Sequence, residues 1–128
     1  MYGVGLVLDT DALLVYSGGS DLVGGTMSKT AETGHRVLIP ATCLAAAYSH
    51  ALPVSVPYLD VLSSLPYVVV APLEQDHCPV LGGWARTLGL DLAHAAFEAA
   101  SHPIVRLMTA SRAKVTEFLP KEWPIIDV

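Results

Sequence analysis

Val4-Gly5-Leu6-Val7-Leu8-Asp9-Thr10-Asp11-Ala12-Leu13-Leu14 is the stretch from which the rest of the chain can be read. It is a continuous apolar run that ends abruptly in an acid. Such a run suits a strand buried on both faces, the usual condition of a parallel sheet. The spacing that follows predicts a short helix over 11–16, stopped by Gly18-Gly19. In open parallel sheets, ligands and chemistry sit outside the carboxyl ends of the strands. Asp9 is therefore either a metal or general-base carboxylate or the cap of the following helix. Asp11, two residues on, carries the same two readings.

Working outward, strand and helix patterns alternate to the end of the chain. Ser20 caps a polar helix to about residue 32, with Gly34 as its stop. A short strand over 37–39 follows. Pro40 suits the first turn of the next helix, 41–50. A helix over 57–65 ends at Pro66, and 67–71 is a β-branched strand. Residues 74–88 look helical, with a break near Pro79 or Gly82-Gly83. Asp91 is a credible N-cap for a helix to residue 100, in which Leu92, Ala95, Ala96, Ala99 and Ala100 make a close-packing face. A fourth strand over 104–109, a short helix from Ser111 to residue 118 and a last strand at Ile125-Ile126 complete the pattern. The alternation predicts an α/β domain with a mainly parallel sheet and right-handed crossovers. No repeat or composition shift divides the chain, so 1–128 is read as one domain.

Composition agrees. The 128 residues are 52% hydrophobic and 15% charged, with mean hydropathy +0.50, which excludes disorder. This balance also points to an apolar contact surface. No apolar run approaches the about 18–20 residues of a membrane span. Met1-Tyr2-Gly3 lacks the basic start of a secretory signal, and Cys43 and Cys78 are too few for a disulfide framework. A reducing cytoplasmic setting is expected. With 7 Lys+Arg against 12 Asp+Glu, the chain lacks the basic footprint of a nucleic-acid binder. Arg106, Arg112 and Lys114 are a local basic group.

The opening stretch resembles that of PIN domains, above all the VapC-type toxins of bacterial toxin–antitoxin pairs. Further stretches fit in order. Leu38-Ile39-Pro40-Ala41-Thr42-Cys43-Leu44-Ala45-Ala46 is similar to the family's Pro-led second acidic motif, and Leu92-Ala93-His94-Ala95 to its third. Thr109-Ala110-Ser111 resembles the strand end that normally reads Thr-Ala-Asp, and Ile125-Ile126-Asp127 the last short strand. The resemblance implies a three-layer sandwich with a mainly parallel sheet of four or five strands flanked by helices. It also implies a homodimer, a cognate antitoxin protein, and RNA as the ligand.

In the family, four acids hold one or two Mg²⁺ or Mn²⁺ ions for phosphodiester hydrolysis. Hard cations require oxygen ligands, and paired ions stabilise both attacking and leaving oxygens. Carried over position by position, only Asp9 stays acidic. The other three positions fall on Ala46, His94 and Ser111. The resemblance thus implies a PIN-like domain in which metal-dependent RNA hydrolysis is lost or weak and binding of RNA or a partner is the role. The alternative is an active Mg²⁺- or Mn²⁺-dependent endoribonuclease on a rearranged cluster. Asp9 and Asp91 would be its metal carboxylates, with Asp11, His94 and Ser111 beside them. Asp91 and Glu98 share a helical face with His94. The bland readings are an N-cap for Asp91 and a solvated face for Glu98. His94 is expected to donate to Asp9 and fill the volume an ion would use. His35, His50, His77 and His102 show no paired ligand spacing, and Cys43 reads as a buried small hydrophobe.

Three rival readings stand beside this one. Asp9-Thr10-Asp11 also resembles the first motif of haloacid-dehalogenase-type phosphatases, with Lys114 as the downstream Lys, although no acidic pair follows a strand. A response-regulator receiver domain has similar length but needs a phosphoacceptor after a central strand, where Asp60 sits in a helical pattern. Third is a non-enzymatic interaction protein on the PIN scaffold, with Tyr48, Tyr58, Leu59, Leu62 and Leu65 as an exposed apolar face.

Overall fold

A computed structural model describes residues 3–103 and 105–128. Five strands form one all-parallel sheet: β1 (Val4–Leu8), β2 (Arg36–Pro40), β3 (Val68–Ala71), β4 (Arg106–Thr109) and β5 (Ile125–Asp127), in the order β3-β2-β1-β4-β5. Among the described residues there are seven α-helices: α1 (Thr10–Ser17), α2 (Asp21–Glu32), α3 (Ala41–His50), α4 (Val56–Ser63), α5 (Cys78–Leu88), α6 (Leu90–Ala100) and α7 (Arg112–Val115). The expected three-layer α/β sandwich is the one observed. β1 shows why. Leu6, Val7 and Leu8 are all fully buried, and consecutive strand residues point to opposite faces. Both faces of the central strand are therefore covered, with α2 against β1 and β2, and α6 against β1, β2 and β4.

α6 is the closest-packed helix. Leu92, Ala93, His94, Ala95, Ala96 and Ala99 are buried, because alanine lets the helix approach the sheet without side-chain volume in the way. Ala100, expected on that face, is exposed and Ala93 takes its place.

Several boundaries differ from the sequence expectation. Pro40 is the last residue of β2 rather than the first turn of α3; its φ of −62° and ψ of 137° are extended, and it pairs with Ala71. α5 is unbroken. Pro79 lies in its first turn, where a missing N–H costs no helical hydrogen bond, and Gly82 and Gly83 face open space. The N-cap of α6 is Gly89, not Asp91. Gly89 joins α5 to α6 at φ +80° and ψ 156°, a conformation close to glycine-only. Ser20 and Ser111 stand at N-cap positions without making a side-chain cap bond. The fourth strand was expected from residue 104, which lies outside the described residues, as do Met1 and Tyr2.

The expected apolar face divides. Leu59 and Leu62 are buried in the core, being three apart on the inner side of α4. Tyr48 and Leu65 are half-buried, and Tyr48 donates its hydroxyl to Asp60. Tyr58 is exposed, along with Leu52, Val54 and Val61. Among the described residues, no helix is long and apolar enough to cross a membrane.

Candidate functional site

The strand order fixes where a site can form. The chain runs outward from β1 to β3, then returns to place β4 on the other side of β1. That reversal opens a crevice outside the carboxyl ends of β1 and β4, the usual ligand position in open α/β sheets. A pocket of about 220 Å³ lies there, and Asp9, Asp11, Asp91, Ser111, His50 and Lys114 supply most of its polar lining.

Asp9 is the buried member, 2% exposed. Both sequence readings of it meet in one side chain. It is the N-cap of α1, Oδ1 accepting the Ala12 N–H at 2.9 Å, and it lines the pocket. Its backbone N–H donates to the Met108 carbonyl at 3.2 Å, which locks the end of β1 to β4. The Thr109 hydroxyl accepts the Ser111 N–H at 2.9 Å and is hydrogen-bonded to Asp9. Burial pushes the Asp9 carboxyl from 3.8 up to about 6, against the hydrogen bonds from Thr109 and Ala12; the Asp11 and Asp91 charges add to the rise.

Asp91 sits in the first turn of α6, where a negative charge suits the helix dipole. Its Oδ2 accepts the Thr10 hydroxyl at 2.5 Å across 81 residues of sequence, and its carbonyl accepts the Cys43 thiol at 3.1 Å. Cys43 is fully buried, as expected of a small hydrophobe, and desolvation raises its thiol pKa.

His94 departs from expectation. It is buried, but it does not line the pocket and has no bond to Asp9. Its Nδ1 pairs with the Thr42 hydroxyl at 2.8 Å and its Nε2 lies 3.4 Å from Glu98 Oε1. Glu98 reaches His102 on its other side, at 3.9 Å, so it belongs to a small network rather than to a solvated face. The turn of α6 that buries His94 aims it at α3, one side of the helix away from the pocket. Ala46 also lies outside the pocket lining. Of the four positions suggested by family resemblance, the structure brings Asp9 and Ser111 together and leaves Ala46 and His94 out.

The donor set does not fit a hard divalent ion as the side chains stand. Oxygens of Asp9 and Asp91 are tied to Ala12 and Thr10, and among the described residues no three His, Cys, Asp or Glu side chains are grouped to hold a metal. The pocket also places Lys114 with Asp9 and Asp11, as the phosphatase reading requires of its Lys, while the further acidic pair of that reading is missing from the lining. The sequence reading gave no site role to Thr10, Thr42, Thr109 or His50. Thr10 and Thr109 adjoin strand ends and could have been found by position; Thr42 meets His94 only through tertiary packing.

The fold and pocket define an open parallel α/β domain with an acid-lined crevice at its topological switch. No family model, no curated protein and no solved structure matches the chain.

Proposed function

We propose that the chain is a PIN-like domain of the VapC-toxin type in which metal-dependent hydrolysis of RNA is lost or weak, and that the crevice between β1 and β4 serves binding of RNA or of a partner protein. The observation that carries this reading is one pocket at the strand ends that joins Asp9 to the neutral Ser111. A carboxylate at one of four acid positions gives a hard ion too few oxygens to offset its dehydration. The homodimer, the cognate antitoxin and a cytoplasmic setting belong to the same proposal and rest on the resemblance alone.

A second reading is favoured by a specific feature. Asp9, Asp11 and Asp91 line one pocket, and their mutual repulsion contributes to the raised Asp9 pKa. Release of Asp91 from Thr10 would free a second carboxylate of this pocket, and clustered carboxylates are the donor chemistry of Mg²⁺ or Mn²⁺. One experiment separates the readings. The protein and its Asp9→Asn variant are incubated with single-stranded RNA and either ion, and ion binding is followed by calorimetry. Weak ion binding and no Asp9-dependent cleavage are expected. Rapid cleavage that Asp9→Asn abolishes would establish the ribonuclease instead. Hydrolysis of an aryl phosphate, lost in the same variant, would establish the phosphatase.

A further inference from the structure

At the opposite end of the sheet lies a larger cavity of about 480 Å³, lined by Val4, Gly5, Thr30, Thr33, His35, Pro103, Arg106 and Pro124. Its size is within the about 300–1,000 Å³ of small-molecule sites. No Asp or Glu is among these lining residues, in a chain with 12 acids against 7 bases. We propose that this cavity binds a small phosphate monoester, with Arg106 as its principal contact.

The side chains are arranged for that task. Arg106 opens β4, half-buried, and its Nη2 donates to Thr30 Oγ1 at 2.9 Å. Thr30 is buried and gives its own proton to the Thr26 carbonyl at 2.8 Å. Its hydroxyl can therefore only accept from the guanidinium, and it holds the fork in one orientation. Among the described residues no carboxylate pairs with Arg106, so the remaining N–H groups are left for an anion. Thr33 donates to the Thr30 carbonyl at 2.8 Å, and His35 Nδ1 lies 3.1 Å from the Thr33 hydroxyl. This contact holds the imidazole beside the cavity. Planar guanidinium forks recognise phosphate by paired hydrogen bonds.

The backbone has been adjusted to make this wall. The β1–β2 register slips between Val4 and Leu6, a bulge at Gly5 of the kind that re-aims side chains beside sites. A Cβ on Gly5 would lie 2.8 Å from His35 Cβ and 3.2 Å from Thr30 Cγ2. Only glycine lets His35 and Thr30 close around the strand. The cavity exceeds the volume of phosphate itself, leaving room for the organic part of an ester.

The test is calorimetric titration of the whole protein with inorganic phosphate and with adenosine 5′-monophosphate. Saturable binding of the monophosphate is expected, weakened roughly tenfold or more by Arg106→Gln, the loss of a charge-assisted contact. Thr33→Glu, which sets a carboxylate in the cavity on an exposed helix end, should abolish binding without disturbing the fold, as followed by circular dichroism. Lys114→Gln, in the other pocket, should leave it unchanged. Absence of binding at millimolar ligand would overturn the proposal. So would equal affinity of wild type and Arg106→Gln, or loss in Lys114→Gln alone, which would move the anion to the carboxylate pocket.

Discussion

Replacing Asp9 by Asn should stabilise the protein at neutral and alkaline pH and leave its stability unchanged in acid. The cause is the buried carboxylate. Its folded-state pKa is raised from 3.8 to about 6 because water is excluded around it. Between those two values the folded protein binds more protons than the unfolded chain, so stability falls as pH rises through the window. Below about pH 3 the acid is neutral in both states and no penalty exists; above about pH 7 the full penalty is present. At about 1.4 kcal/mol per pH unit, the gap between the two pKa values is worth about 3 kcal/mol. Asn keeps an oxygen for the Ala12 N–H and is an equally good N-cap. It carries no charge to bury. Urea denaturation of both proteins, in steps from about pH 3 to about pH 8, should therefore show curves that coincide in acid and separate by about 2–3 kcal/mol above neutrality. A difference that does not change with pH, or a less stable Asn variant at alkaline pH, would refute the reasoning. It would mean that Thr109 and Ala12 stabilise the anion more than burial opposes it.

Ser111→Asp should lower stability by about 1 kcal/mol without added metal, since it brings another carboxylate to a pocket that already repels charge. Mg²⁺ should then raise the melting temperature of this variant more than that of the wild type, by mass action on the folded state; a larger gain in the wild type would show that Asp9, Asp11 and Asp91 already form a metal site. His94→Leu should cost about 2 kcal/mol in urea denaturation, because it leaves the Thr42 hydroxyl and Glu98 without the imidazole that both contact. Gly89→Ala should cost about 1–3 kcal/mol through backbone strain alone, as an added Cβ would meet only Asp91 Oδ1 at an ordinary 3.6 Å; no loss on thermal melting would show that α5 and α6 can be joined another way.

The sequence by itself determined the order of the elements, the parallel sheet and the place of Asp9 at the end of the first strand. Those properties are local or nearly so. A strand buried on both faces must read as an unbroken apolar run, and Val4–Leu8 does so whatever packs against it. Asp9 could be singled out because strand ends are where such sheets carry chemistry. Tertiary structure alone decided which helix end meets which strand end. Thr10 and Asp91 are 81 residues apart, and no pattern in the chain pairs them. The rotation of α6 about its axis decided that His94 faces Thr42 while Asp91 faces the pocket. His94 and Asp91 are one helical turn apart, close enough that helical spacing predicts a shared face, yet the pocket edge passes between them. Gly89 explains part of this: its left-handed φ sets where α6 begins, two residues earlier than an Asp91 cap would have it. The carboxyl pKa of Asp9 is likewise a property of the folded state, since only the packed strands around it remove the water that would keep it ordinary.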